Sequence, residues 1–110
     1  MEIGFTNARL AKVCNSDKKM RSEYGSRMAG LIKQRLLDLS AAETLQVMRS
    51  LPGRCHELAG NLKGRLAVDL VHPDRLVFEP DHDPLPKKAD GGLDWGKVTR
   101  ITIVGIGDYH

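Results

Sequence analysis

Two of the four histidines, His56 and His110, stand where a proton could be moved near neutral pH. His56 lies in a stretch with strand character, and His110 ends the chain directly after Asp108 and Tyr109. Arg75, Lys63 and Arg65 offer positive charge to an anion, and Tyr109 can donate a hydrogen bond or stack on an unpaired base. Residue type alone leaves plainer roles open. His56 could be a sheet histidine with a satisfied ring, His110 a loose terminus, and Tyr109 a core aromatic. Arg75 and Asp108 could be paired surface charges, and Lys63 and Arg65 solvated ones. Cys14 and Cys55 are too few for a disulfide scaffold and lack metal-ligand spacing, so both read as small buried apolar residues. No pair of acidic residues sits with an obvious metal-ligand histidine, so no metal site is expected.

At 110 residues the chain has room for one domain, residues 1–110. A hydrophobic fraction of 41% with 28% charged residues is that of a globular protein, not a disordered one. No apolar run is long enough to span a bilayer, and the first residues carry no signal core, so a cytoplasmic protein is expected. The net charge of +3 is unevenly spread. Residues 1–65 hold 12 Lys/Arg against 6 Asp/Glu, and residues 66–110 hold 5 against 8. A basic first half permits a phosphate backbone as partner, although a solvated helix face would look the same.

The elements that must position these residues follow from periodicity. Glu2–Phe5 alternates as a short strand does. Thr6 or Asn7 can cap a helix carrying Leu10, Val13 and Cys14, and Ser16 or Asp17 can start a second with Met20 and Tyr24. Gly25 suits a stop, after which Met28, Leu31, Ile32, Leu36 and Leu39 form one apolar stripe. Residues 41–48 predict a last short helix. Beyond Pro52-Gly53 the period shortens, with strands predicted over 55–58, 65–70, 75–79 and 99–106. Turns fall at 61–64 and at His72-Pro73-Asp74. Between the last two strands, residues 79–97 are rich in Pro, Gly and charge and predict a long surface loop. Trp95, the only tryptophan, is its expected anchor. The class is therefore α+β: an N-terminal strand and two to three helices packed on one face of a mainly antiparallel sheet of four to five strands.

The stretch Leu51-Pro-Gly-Arg-Cys-His-Glu-Leu-Ala-Gly-Asn-Leu-Lys-Gly-Arg-Leu-Ala-Val-Asp-Leu, followed by Arg75-Leu-Val-Phe-Glu-Pro, resembles the plasmid-maintenance killer proteins of the HigB type within the RelE/ParE superfamily of type II toxins. The terminal Asp108-Tyr109-His110 is similar to the C-terminal motif of that group, and the opening strand and helices fit it too. The resemblance covers nearly the whole chain, with 79–97 as an insertion.

It implies a RelE-like fold, a cognate HigA-like helix-turn-helix antitoxin, and cleavage of messenger RNA on the ribosome without metal or other cofactor. It further implies catalytic roles for His56, Asp108, Tyr109 and His110, and RNA or phosphate contacts for Lys63, Arg65 and Arg75. Such cleavage uses the ribose 2′-hydroxyl as nucleophile. It asks for a proton acceptor, a proton donor for the leaving oxygen, and cations around the transition state. Two alternatives stand beside it. One is a ParE-like DNA gyrase poison, which would not need His56, Tyr109 or His110. The other is a weakly active or silent member that only binds its antitoxin. Ala59 and Asn61-Leu62 depart from the family, which often has Lys before the glycine that is Gly60 here and then Asp-Arg-Lys-Gly.

Overall fold

Alternation of side chains along five strands and a 3.6-residue stripe along three helices together build a two-layer molecule. The computed structural model describes residues 1–109, so His110 lies outside the described residues. The elements run β1 (Glu2–Phe5), α1 (Ala8–Cys14), α2 (Asp17–Tyr24), α3 (Ser26–Ala41), β2 (His56–Glu57), β3 (Leu66–Asp69), β4 (Arg75–Pro80) and β5 (Arg100–Gly107). The strand order is β1-β5-β4-β3-β2. Strand β1 runs parallel to β5 and every other pair is antiparallel, so the sheet is mixed.

The helix boundaries are set by hydrogen bonds that the sequence supplies locally. Asn7 caps α1 by accepting from the Leu10 amide at 2.8 Å, and Ser16 caps α2 by accepting from the Lys19 amide at 3.2 Å. Gly25, at φ 81°, ends α2 and starts α3 in one residue. The stripe of α3 buries Met28, Ala29, Ile32 and Leu39 against the sheet. The short helix expected over 41–48 does not form. Helix α3 ends at Ala41, and a 3-10 helix follows over Leu45–Ser50. Leu45 and Met48 are fully buried there, and the Leu45 amide bonds the Val98 carbonyl at 3.0 Å. Those fixed contacts favour the tighter helix over regular α-helix.

In the sheet, Leu66, Val68, Leu76, Phe78, Ile101 and Ile103 face the helices and form the core with α3. Each such fully buried side chain contributes about 1.5–3 kcal/mol. Register decides what the other face carries. Between β4 and β5 the pairing slips: Val77 lies opposite Gly105, but Phe78 lies opposite Ile103. This bulge leaves one extra residue in β5 and returns Ile106 to the core side, where it packs on the cluster. Gly105 and Gly107 are thereby turned to the opposite face.

Two expected boundaries need correction. Glu79 lies in β4, as the strand expected over 75–79 has it, and Pro80 extends the strand by one more residue; they pair with Thr102 and Ile101, so the loop begins after Pro80. At the other end, Trp95–Lys97 is a 3-10 helix whose Trp95 is only 4% exposed and joins the core. Its indole Nε1 donates to Glu57 Oε2 at 3.0 Å, and the Arg49 guanidinium lies 3.8 Å from the ring centroid. Trp95 anchors the loop as expected, while residues 83–85 and 87–92 between are exposed.

Candidate functional site

Helices cover one face of the sheet, so the candidate site is sought on the other. Strand register places side chains there in rows. One row runs His56, Ala67, Val77 and Gly105 across β2 to β5. A second runs Asp69, Arg75 and Gly107. A third brings Glu79 opposite Thr102, with Arg65 Nε 3.7 Å from Glu79 Oε2. Ala67 and Val77 are fully buried but stand outside the helix-side core, which confirms that this face is itself covered by larger side chains.

Tyr109 supplies part of that cover. It lies across Gly105, where any β-carbon would collide with its phenol oxygen. Neighbouring strands are about 4.8 Å apart, so His56 and Gly105, three strands apart, are separated by roughly 14 Å of backbone. Of the residues singled out from sequence, His56, Arg65, Arg75 and Tyr109 thus share one face. Lys63 is exposed on the turn between β2 and β3 and belongs to no row. Asp108 is exposed just past the end of β5.

The charges are arranged around a residue that the sequence reading passed over. Asp69 Oδ2 accepts from Arg54 Nε at 2.9 Å, and its Oδ1 lies 3.5 Å from Arg75 Nε. Burial pushes the Asp69 carboxyl up, but the Arg54 hydrogen bond and the charges of Arg54, Arg75 and His56 outweigh it. They hold the group below the usual carboxylate range. The Arg75 side chain is 13% exposed, and its Nε makes no hydrogen bond among the described residues, so its tie to Asp69 is electrostatic. Two guanidiniums against one carboxylate leave a net positive charge beside His56, which favours an anion on this face. From below, the buried Arg35 donates from Nε to the Asp69 carbonyl at 2.9 Å.

His56 is oriented by a backbone group. Its Nδ1 lies 2.7 Å from the Arg54 carbonyl oxygen. A carbonyl can only accept, so the proton of the neutral ring sits on Nδ1 and the lone pair on Nε2. Such an imidazole is set to take a proton. Asp69 was within reach of sequence reasoning, because burying Leu66, Val68 and Leu70 turns Ala67 and Asp69 toward the face that holds His56. Arg54 gave no such signal. It has φ 50°, a left-handed conformation uncommon for a non-glycine residue and several-fold commoner in Asn and Asp than in Arg. Among the described residues no group of His, Cys, Asp and Glu is placed to hold a metal ion.

No family model and no curated protein matches the sequence. Solved structures do match in fold. The YoeB/ParE toxin from Agrobacterium tumefaciens superposes with a TM-score of 0.59 at 12% identity, over the whole of both chains. The YoeB-YefM complex from Staphylococcus aureus gives 0.58 at 19% identity, and the YoeB dimer from the same organism 0.56 at 20%. Each covers all of this chain and 97% of the other. The five-stranded mixed sheet with helices on one face is thus the fold of the YoeB/ParE toxin structures.

Proposed function

We propose that the chain is the toxin of a type II toxin–antitoxin pair and acts in the cytoplasm as a ribosome-dependent, metal-independent mRNA endonuclease. The observation that carries this reading is the set of side chains gathered on the sheet face away from the helices. There the His56 Nδ1 is bonded to the Arg54 carbonyl, beside the cationic Arg75–Asp69–Arg54 group and across from Tyr109. The fold shared with YoeB/ParE toxins supports it.

In this reading His56 Nε2 takes the proton of a ribose 2′-hydroxyl. The 2′-oxygen then attacks the adjacent phosphorus, and the bond to the 5′-oxygen breaks. The products are a 2′,3′-cyclic phosphate and a 5′-hydroxyl, whose proton comes from His110, with Asp108 orienting it. Arg75 balances the charge that grows on the phosphoryl oxygens, Arg65 and Lys63 hold flanking phosphates, and Tyr109 stacks on a base. The partner in the resting cell is a helix-turn-helix antitoxin of the HigA type; one of the structural neighbours is itself a YoeB-YefM complex.

Purified protein added to translating ribosomes, with mRNA ends mapped, tests the proposal. Wild type should cut, and His56→Gln and His110→Ala should cut about 10²–10⁴-fold more slowly. Cutting at the wild-type rate by both variants would remove their roles. Growth inhibition that persists in both, with DNA gyrase supercoiling blocked, would establish the ParE-like alternative instead.

A further inference from the structure

Arg54 combines three features that the proposed chemistry does not itself require. Its backbone is left-handed at φ 50°, its carbonyl receives the His56 Nδ1, and its side chain is tied to Asp69. The preceding Gly53 is also at positive φ, 108°, so the chain makes a tight reversal just before β2. This reversal is moored to the end of β3 at several points, all through one residue. The Asp69 amide donates to the Gly53 carbonyl at 2.7 Å, and the Asp69 carboxylate holds the Arg54 guanidinium. The Asp69 carbonyl takes Arg35 Nε, whose guanidinium packs so closely under Gly53 that a β-carbon there would stand 2.7 Å away.

An exposed ion pair alone is a weak constraint. The Arg54 side chain is 65% exposed, but its carboxylate partner belongs to a residue already fixed by two backbone ties and by Arg75. The pair therefore holds a strained carbonyl against a rigid strand end. Without it, an arginine would relax toward negative φ, and the carbonyl would swing off the imidazole.

We propose that Arg54, clamped by Asp69, is a positioning residue that fixes the His56 tautomer with the proton on Nδ1 and so presents Nε2 to the open face. The inference rests on His56 being the proton acceptor of the proposed reaction, but its first test needs no RNA. With ¹⁵N-histidine-labelled protein at about pH 9, where imidazole is neutral, the ring nitrogen shifts of His56 report which nitrogen is protonated. Wild type should show the Nδ1–H form. Arg54→Ala, which loses the clamp and disfavours positive φ, and Asp69→Asn should both shift it toward the Nε2–H form preferred by a free histidine side chain. Arg54→Lys, which retains a cation for Asp69, should recover the wild-type signature in part. On ribosomes, Arg54→Ala should lower cleavage at least about tenfold with Arg54→Lys in between, as expected for partial loss of a proton acceptor.

A wild-type Nε2–H signature, or an Nδ1–H signature unchanged in Arg54→Ala, overturns the inference. Should Asp69→Asn unfold, Arg54→Ala decides alone, because it leaves the backbone ties of Asp69 in place. A clamp-dependent signature in a protein that cuts no RNA would uphold the positioning and overturn the nuclease reading instead.

Discussion

The ring of Tyr109 lies across Gly105, with its Cζ 3.2 Å from where a β-carbon on that residue would stand and its phenol oxygen closer still. The berth exists because the β4–β5 bulge turns Gly105, and not Val104 or Ile106, toward the open face. Gly105→Ala should therefore destabilise the protein by about 1–3 kcal/mol, the range for overfilling a packed site. Urea titration measures this. The pair also makes a double-mutant cycle. Gly105→Ala should cost little once Tyr109→Ala has emptied the berth, giving a coupling above about 0.5 kcal/mol. Additive losses would mean that Tyr109 does not rest there.

What was readable in the sequence depended on the range of the cause. The alternation of Leu66, Val68 and Leu70, the caps at Asn7 and Ser16, and the break at Gly25 are local, and each stands as expected. The parallel pairing of Glu2–Phe5 with β5 brings together segments nearly a chain length apart, and nothing near either strand encodes it. The sequence predicts a short helix over 41–48, whereas the 3-10 helix at Leu45–Ser50 is held by contacts with Val98, about fifty positions away. His56 and Arg75 are candidates from their chemistry and the family resemblance, and the register sets both on one face. Asp69 was overlooked because a strand-end carboxylate looks like any solvated charge until two arginines are seen to converge on it. Arg54 was unreadable, since its part depends on a backbone angle that arginine rarely takes.

Asp69 also links stability to pH. Its pKa is lower in the folded chain than in the unfolded one, so folding favours the ionised carboxylate. That contribution is complete above the ordinary carboxylate value of about 3.9 and is lost as pH falls through the lower folded value. Asp69→Asn should therefore flatten the acid limb of a stability-against-pH curve, with little change in slope above about pH 5. An acid limb as steep as wild type would show that the carboxylate gains nothing from its arginines.

The two thiols should be slow nucleophiles. Burial, with a smaller push from Glu23, raises Cys14 to about 11, and burial raises Cys55 to about 12 against a small opposing effect of Arg49. Only the thiolate reacts, so at about pH 8 iodoacetamide should label the native protein at least about a hundredfold more slowly than the urea-unfolded chain. Rapid native labelling of either cysteine would reveal a thiol far more accessible than its packing allows. Mass spectrometry of tryptic peptides separates the two sites.

The loop between β4 and β5 should divide sharply into a disposable part and an anchor. Residues 81–92 are mostly exposed, and what they contribute is a few hydrogen bonds, such as the Asp81 amide on the Arg100 carbonyl and the Thr99 amide on the His82 side-chain Nε2. Loop length enters stability only logarithmically. Replacing Asp81–Gly92 with a short Gly/Ser linker should thus cost no more than about 1 kcal/mol, the net worth of one or two such bonds. Trp95 is different, because it is buried, bonded to Glu57 at 3.0 Å and covered by Arg49. Trp95→Ala should cost about 3–5 kcal/mol, as large-to-small changes of a buried aromatic do. Trp95→Phe keeps one aromatic ring but loses the fused ring's volume and the donor to Glu57, so it should cost less than Trp95→Ala but more than the lost hydrogen bond alone, about 1 kcal/mol. Glu57 is the residue next to His56, so Trp95→Ala should also loosen β2 and raise amide exchange there, whereas the linker variant should leave it unchanged. Equal melting-temperature losses for the linker variant and Trp95→Ala would show that the whole loop, and not its last turn, covers the core.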